Sequence, residues 1–448
     1  MKGSECRLID YVEGNKKRFI IPVYQRSYDW EESNCKKMFD DLVNAVNRKT
    51  HFFGTMCSVI NSDAIDTEII IIDGHQRLTT LSLLFLAMYN LLEQGILTSK
   101  DSTLSERILE LYLIDKWDNK QVKLKLTKFD VEAYNALFKN GRIAGSNITR
   151  NYDYFYNRIQ KQEITIDELF ASIKKLEIIN VQAQEWDNPQ LIFESLNSTG
   201  LALSEGDKVR NFVLMGLRLK YQEHFYNNYW LKIENYCNRD VTNFVRDYLS
   251  VKMVSTPAFS KIYFTFKEYA SGKKTEALLD DMLAYARNYQ ILIKGYISIK
   301  KVSACIKRLN ILETTVTRPF FLEVLRLWKE KKITDEDLTE IFLTTESYIF
   351  RRIMVDLPTN GLNKIFVTLH KDIMKFGEEN YASKFNYVLL SKKERARFPS
   401  DDEFISAFRT RQVYNMKSKV YILERFENFD TLEDRDIYRH IENGTYSI

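Results

Sequence analysis

The stretch IIIDGHQRLTT at residues 70–80 joins an apolar run, a glycine and a helical pattern without a linker between them. The apolar run predicts a buried strand, and the helix that begins after Gly74 offers its first backbone N–H groups to an anion. Arg77 falls in the first turn, where a cation opposes the helix dipole unless it binds something negative, so its position indicates a phosphate ligand. Asp73, at the end of the strand, either holds Mg²⁺ or caps the helix.

A second cluster lies upstream, where residues 21–30 read IPVYQRSYDW. A strand predicted to end at Pro22 leads into a loop that carries an amide, a guanidinium and aromatic rings. Arg26 offers a planar fork of donors suited to phosphate. The rings of Tyr24, Tyr28 and Trp30 can stack on a base or line a pocket. The alternative is that the aromatic rings belong to the domain core and that Arg26 caps a carbonyl group.

A third cluster, FESLNSTGLALSEGDK, occupies residues 193–208. Its pattern predicts a helix that ends near Asn197, a tight loop, and a new helix capped by Ser204, with Asp207 completing a capping-box-like pattern. In the functional interpretation, Asn197 and Asp207 bind a ligand or metal. In the structural interpretation both residues serve only the loop and the cap, and the spacing alone favours this second interpretation.

The wider pattern predicts an α+β fold. Strands are predicted at residues 19–22, 52–60, 67–72 and 176–181, and helices at residues 31–47, from residue 75, and from Pro189 with Asn188 as N-cap. From residue 216 onward the apolar spacing is almost wholly helical, and the scarcity of glycine (15) and proline (6) agrees with long helices. We therefore predict an N-terminal α+β domain at residues 1–215 and a mainly α-helical domain at residues 216–448.

Composition limits the possible classes of protein. Lys and Arg number 65 against 61 Asp and Glu, so any basic surface for nucleic acid must be local. Five scattered cysteines without a C-x-x-C pair indicate neither a zinc knuckle nor a disulfide framework, and they fit a reducing cytoplasm. No apolar run approaches the ~18 residues that span a bilayer, and the chain contains no P-loop. The five histidines form no pair with metal-ligand spacing.

One local basic surface is suggested by residues 392–425, which hold nine Lys or Arg against five Asp or Glu, with Tyr414 and Tyr421 between them. A solvated helical face is the simpler interpretation of such a segment. Our hypothesis is that part of it contacts DNA phosphates through four cations, namely Lys392, Lys393, Arg395 and Arg397.

The three clusters occur in a recognisable order. I-P-x-Y-Q-R-x-Y-x-W, then D-G-x-Q-R-L-T-T-L, then F-x-x-L-N-x-x-G-x-x-L resembles the N-terminal domain of GmrSD-type, modification-dependent (type IV) restriction proteins. The helical remainder also resembles the middle region of that family, notably at residues 398–404 and 421–425. The resemblance implies a ParB/sulfiredoxin-like fold for the N-terminal domain, and NTP (GTP or ATP) with Mg²⁺ as cofactors.

The resemblance also assigns residues. Asp73, Gly74, Gln76 and Arg77 match the nucleotide motif, and His75 departs from it because the family usually has Gln there. The predicted catalytic residues are Asp73, His75, Gln76 and Arg77, with Asp73 also as the metal ligand. The predicted cofactor-binding residues are Tyr24, Gln25, Arg26, Gly74, Thr79, Asn197 and Asp207.

Members of the family couple nucleotide binding or hydrolysis to attack on modified phage DNA, and they often continue into a His-Asn-His nuclease domain. This chain stops at Ile448, where the segment entering that domain would begin, so we expect a fragment or a form that does not cleave DNA by itself. The expected partners are modified phage DNA and the nuclease domain, in the cytoplasm and without membrane contact, and an oligomer is possible. Three functions stay open: an NTPase that gates the nuclease, a nucleotide- or DNA-binding switch without turnover, and an antitoxin-like or structural scaffold.

Overall fold

The computed structural model describes residues 2–61, 67–115, 121–184, 187, 189–196, 203–429 and 437–443. The chain divides into two compact units. The N-terminal unit comprises residues 1–203 and 210–226, and the helical unit comprises residues 204–209 and 227–448. The fold is α+β, as predicted: a mixed sheet lies in the N-terminal part and the C-terminal part is mainly helical.

A mixed sheet organises the N-terminal unit. Within the described residues the six-stranded sheet has the order β1-β8-β3-β4-β2-β7, and β5 and β6 form a separate pair. The strands are β1 (Lys2–Arg7), β2 (Lys17–Ile20), β3 (His51–Ile60), β4 (Thr67–Asp73), β5 (Ile114–Asp115), β6 (Gln121–Val122), β7 (Leu124–Lys125) and β8 (Leu176–Ala183). Pairing is parallel for β3 with β8 and for β2 with β4 and β7, whereas β1 with β8 and β3 with β4 are antiparallel. The strands predicted at residues 52–60, 67–72 and 176–181 are confirmed, whereas the strand predicted at residues 19–22 lies at Lys17–Ile20 and ends before Pro22.

The helices of this unit are α1 (Leu8–Val12), α2 (Glu32–Ala45), α3 (His75–Glu93), α4 (Leu104–Ile108), α5 (Lys128–Leu137), α6 (Asn147–Gln160), α7 (Ile166–Ile173), α8 (Pro189–Leu196), the part of α9 (Glu205–Leu214) from residue 210 onward, and α10 (Leu219–Phe225). Most of α3 is buried, including Thr79, Thr80 and Asn90, and it packs against α6. Because α3 is covered on nearly all sides, its sequence shows little amphipathic patterning. Asn188, the predicted N-cap of α8, lies outside the described residues.

The helical unit contains no strand among its described residues. Its helices are α11 (Leu231–Tyr236), α12 (Val241–Met253), α13 (Ile262–Ala270), α14 (Thr275–Lys294), α15 (Lys300–Ile311), α16 (Arg318–Lys329), α17 (Asp335–Met354), α18 (Leu362–Met374), α19 (Tyr381–Leu390), α20 (Asp401–Thr410), α21 (Lys419–Glu427) and α22 (Ile437–Glu442). None of the helices in the described part of the chain combines the length and apolarity that a bilayer crossing requires.

A buried ion pair joins three helices of this unit. Glu346 on α17 accepts two hydrogen bonds from the Arg308 guanidinium on α15, at 2.6 and 2.7 Å. The Tyr421 hydroxyl on α21 donates a third, at 2.9 Å. Arg308 and Glu346 are both buried, so each charge depends on the other for compensation.

Candidate functional site

The junction between β4 and α3 forms as the sequence predicts. Strand β4 ends at Asp73, Gly74 adopts φ 97°, and α3 begins at His75. Such a positive φ favours glycine, and a Cβ at this position would also overlap the buried Sδ of Met56. Gly74 has no side chain to cap α3, so the first N–H groups of the helix lie at the end of the sheet without a side-chain cap.

The loop at residues 22–30 is attached to this junction by two buried amides. Gln25 Nε2 donates to the Ile72 carbonyl at 2.8 Å, which anchors the loop to the C-terminal end of β4. Gln76 Oε1 accepts from the backbone N–H of Asp29 at 3.0 Å, and Gln76 Nε2 donates to the Ser27 carbonyl at 3.0 Å. The structure therefore brings the first two sequence clusters together. Gln25 and Gln76 have clear positioning roles, and contact of either with a cofactor stays a prediction.

The aromatic residues of the loop lie mainly in the interior. Tyr24 and Tyr28 are 1% and 4% exposed, and the Tyr28 hydroxyl lies 2.7 Å from Thr80 Oγ1 on α3. Trp30 is half-buried and packs against the core. For Tyr24 and Tyr28 this placement favours the core interpretation over base stacking, because a ring without exposed surface has no face to offer a ligand.

Two arginines from the clusters lie at the junction. Arg77 Nη2 donates to the Thr55 carbonyl at 2.6 Å and lies 3.5 Å from Asp73 Oδ2. Arg26 Nη1 lies 3.5 Å from Asp29 Oδ2. At 3.5 Å neither ion pair has normal hydrogen-bond length. Asp73 supplies part of the negative charge that the sequence argument assigned wholly to a ligand of Arg77.

Sequence reasoning missed a third arginine. Arg210 on α9 is 8% exposed, and its Nε donates to the Tyr24 carbonyl at 2.8 Å. Tyr24 thus contributes to the site through its backbone. The signal was present in the sequence, because Arg210 lies beside the buried Val209, on the side of α9 that also buries Val213. An arginine on the apolar side of a short helix calls for an acceptor.

His75 reports the electrostatics of the site. The pKa of its imidazole is lowered to about 3, first by burial and then by the charges of Arg26, Arg77 and Arg210 in that order. A hydrogen bond to the backbone of Arg26 acts in the opposite direction. Gln76 Nε2 lies 2.9 Å from His75 Nε2. His75 is therefore neutral at physiological pH and lies within electrostatic range of three guanidinium groups.

The buried imidazole makes the stability of the N-terminal unit depend on pH. The unfolded chain takes up a proton on His75 below its ordinary pKa of about 6.5, whereas the folded protein, with a pKa of about 3, does not. The free energy of unfolding therefore falls as the pH drops below about 6.5, by about 2 kcal/mol between about pH 7 and pH 5. We expect His75→Gln to remove this loss, measured by hydrogen exchange of α3 amides at both pH values.

The exposed His440 provides the control for that experiment. His440→Gln should leave the difference between the two pH values as it is in the unchanged protein. An equal loss of α3 protection in His75→Gln and in the unchanged protein would mean that the imidazole is not the group responsible.

The remaining predicted site residues are placed less centrally. Thr79 is buried and its hydroxyl donates to the His75 carbonyl at 2.8 Å, so its ligand role stays a prediction. Asp207 lies in the helical unit. Its Oδ2 accepts a hydrogen bond from Ser204 Oγ at 2.7 Å, and its backbone N–H donates to Ser204 Oγ at 3.1 Å. The predicted cap at Ser204 is confirmed. Asn197 lies outside the described residues.

Asp73 is the predicted metal ligand. Its side chain is 28% exposed at the end of β4. Across the part of the chain that the structure describes, no group of three or more His, Cys, Asp or Glu side chains is placed to hold a metal ion. One carboxylate nevertheless fits Mg²⁺, which proteins commonly hold by one or two carboxylates together with substrate phosphates.

Fold and site first define a class: an α+β domain whose cationic site lies where a buried strand turns into a helix. Residues 8–214 match the family described as "GmrSD restriction endonuclease, N-terminal domain". The N-terminal region of this chain belongs to that family, and the matched range includes all three sequence clusters and Arg210. No curated protein matches the chain.

Proposed function

We propose that the N-terminal unit binds a nucleoside triphosphate and that this binding regulates attack on modified phage DNA by a separate nuclease domain. The observation that carries the proposal is the convergence of Arg26, Arg77 and Arg210 around the neutral His75 at the start of α3. The family's printed description as a restriction endonuclease domain supports the role in restriction and, with it, contact with DNA. The ParB/sulfiredoxin-like character of the fold stays part of this proposal.

The charge of the site favours a polyphosphate. The guanidinium groups of Arg26 and Arg77 lie 3.5 Å from the carboxylates of Asp29 and Asp73, and that of Arg210 lies within electrostatic range of His75. The start of α3 adds the positive end of the helix dipole to these cations. The buried Nε of Arg77 also has no hydrogen-bond partner among the described residues. A buried donor without an acceptor is costly, and such groups in native proteins often mark a functional site.

Mg²⁺ would bind beside the phosphates. Asp73 is the residue that would hold it, since its carboxylate ends β4 next to the Arg77 guanidinium. The ion would neutralise phosphate charge there. Asp73 and Arg77 would then contact the same polyphosphate with opposite charges, one through the metal and the other directly.

A binding switch without turnover is the second candidate. The four predicted catalytic residues include two that are poorly suited to moving a proton. Burial and nearby arginines keep the pKa of His75 near 3, and the Gln76 amide is occupied by the loop at residues 22–30. Of the other two, Arg77 keeps its proton as a guanidinium group, so Asp73 is the candidate for activating water. A protein that only binds nucleotide would need no such group.

Calorimetric titration of the full chain with GTP and with ATP, each with Mg²⁺, tests the proposal. Arg77→Ala removes charge-assisted hydrogen bonds and should weaken binding by roughly 1.5–3 kcal/mol, more than tenfold. Arg210→Ala should weaken it similarly. Arg142→Ala is the matched control, because Arg142 is an exposed arginine of the same unit that also pairs with an aspartate, Asp153, at 2.6 Å. Unchanged affinity in Arg77→Ala and Arg210→Ala would contradict the proposal.

Phosphate release separates the two candidate functions. If the unit hydrolyses nucleotide, release should be measurable and Asp73→Asn should abolish it. If the unit is a switch, the nucleotide should bind with no release in either protein. Binding in both cases should respond equally to the arginine substitutions.

A further inference from the structure

A groove in the helical unit is lined largely by cations. It has a volume of about 740 Å³ and lies between α18 and the segment that follows α19. Its lining cations are Lys364, Lys371, Lys375, Lys392, Lys393 and Arg395. Asp372 and Glu394 are the acids in the lining, so six positive charges face two negative ones and the net charge is +4.

Part of this charge is compensated inside the groove. Asp372 Oδ1 lies 2.7 Å from Lys375 Nζ, and Asp372 Oδ2 lies 3.3 Å from Lys392 Nζ. One carboxylate thus serves two ammonium groups. Lys364, Lys371 and Lys393 line the same groove and are exposed, which makes them the cations best placed to meet an external anion.

The cations of α18 form a line. Lys364, Lys371 and Lys375 are separated by seven and four residues, which places them along one face of the helix. At 1.5 Å per residue this line is about 16 Å long. Phosphates of one DNA strand are spaced about 3.4 Å apart along the duplex axis, so the line would span about five of them. A single bound phosphate would need only one end of it.

The structure also divides the basic segment that the sequence singled out. Lys392, Lys393 and Arg395 line the groove. Arg397 is instead paired with Glu403, and Arg411 Nη1 donates to the Met354 carbonyl at 2.6 Å. The segment at residues 392–425 is therefore not one continuous basic surface. Only its first residues contribute to the basic groove, and the lysines of α18, which precede the segment in the sequence, supply the other cations of that groove.

We infer that this groove binds the sugar–phosphate backbone of duplex DNA. The inference rests on the proposed role in restriction, which makes DNA the polyanion that the protein must meet. Length and charge argue for a backbone over a free nucleotide, since the cations are extended in a line and no buried aromatic ring is among the lining residues. Lysine ammonium groups act as point charges on phosphate, so binding here should not depend on base sequence.

The salt dependence of DNA binding tests this inference. The probe is a fluorescent duplex of random sequence, titrated with the full chain between about 50 and 200 mM salt. The test variant carries Lys364→Gln, Lys371→Gln and Lys393→Gln. The control variant carries Lys273→Gln, Arg409→Gln and Lys417→Gln, which remove three exposed cations of the same unit from outside the groove lining. At about 0.9 per lost phosphate contact, the slope of log K against log salt should become shallower by about 2.7 in the test variant alone.

Each outcome decides the question. An unchanged slope in the test variant overturns the inference and would fit a groove that receives an acidic protein instead. Equal changes in the two variants overturn it as well, because they would reflect net charge alone. Absence of DNA binding by the unchanged chain also overturns it, while the nucleotide titrations still test the N-terminal site separately. Nucleotide affinity should be the same in both variants and in the unchanged chain, which serves as the check that the substitutions leave the protein folded.

Discussion

Replacing Glu346 with alanine is expected to lower the stability of the helical unit by about 3–5 kcal/mol, because it leaves the Arg308 guanidinium buried without a counter-charge. Arg308 loses both of its hydrogen bonds to the carboxylate, and the Tyr421 hydroxyl loses its acceptor. The three helices that meet there, α15, α17 and α21, should all be affected. Native-state hydrogen exchange of amides in α15 and α17 measures the change locally, without assuming that the two units unfold together.

Two comparisons separate charge from packing in this prediction. Arg308→Met combined with Glu346→Gln removes both charges and keeps an acceptor for Tyr421, so it should recover most of the lost stability. Glu330→Ala removes a carboxylate that pairs with Arg326 at 2.7 Å but is 42% exposed, and it should cost less than about 1 kcal/mol. If Glu346→Ala costs no more than Glu330→Ala, the buried pair does not carry the stability assigned to it.

Local structure was predictable from the sequence where the spacing of apolar residues agrees with the residues that begin or end an element. The stretch at residues 70–80 contains a run long enough for a strand, a glycine and a helical pattern, and β4, Gly74 and α3 follow in that order. The start of α9 was predictable for a similar reason, since Ser204 and Asp207 form a cap that depends only on neighbouring residues. Such features need no knowledge of the rest of the fold.

Sheet order was not predictable by the same reasoning. β8 pairs in parallel with β3 although more than a hundred residues separate them, and β1 joins the other side of β8. The alternation of apolar residues along a strand does not specify which strand lies beside it. Parallel strands are joined by long crossover connections, so their pairing depends on how the rest of the chain packs. The strand at β1 is also largely exposed, so it lacks the apolar run by which the other strands were found.

The site was only partly predictable, because its contacts, like the order of the strands, depend on how distant parts of the chain pack together. The motifs predicted Gln25 as a cofactor-binding residue and Gln76 as a catalytic residue, whereas the structure shows their amides bonded to backbone groups of the loop and of β4. A motif gives the identity of a side chain, but its hydrogen-bond partner is decided by the fold. Arg210 illustrates the converse, since its approach to the Tyr24 carbonyl joins positions 186 residues apart in sequence.

Replacing Gly74 with alanine is expected to destabilise the N-terminal unit by about 2–5 kcal/mol and to abolish nucleotide binding. Holding a residue with a side chain at the φ of 97° costs about 1–2 kcal/mol. The added Cβ would overlap Met56 Sδ in a fully buried position, and overpacking of this kind costs about 1–3 kcal/mol. Relief of the overlap would move the start of α3 away from β3, and with it His75 and Arg77, so the three guanidinium groups would no longer converge.

Substitution of Gly95, just beyond the other end of α3, distinguishes the cost of the positive φ from the cost of the overlap with Met56. It has a φ of 67° and open space where a Cβ would lie, so Gly95→Ala should show the backbone cost alone and leave nucleotide affinity unchanged. Met56→Ala removes the overlapping atoms, and a double-mutant cycle with Gly74→Ala should therefore show a coupling of about 1–3 kcal/mol. Hydrogen exchange of α3 amides and calorimetric titration with nucleotide measure both effects. Unchanged nucleotide affinity in a folded Gly74→Ala protein would remove the start of α3 from the binding site.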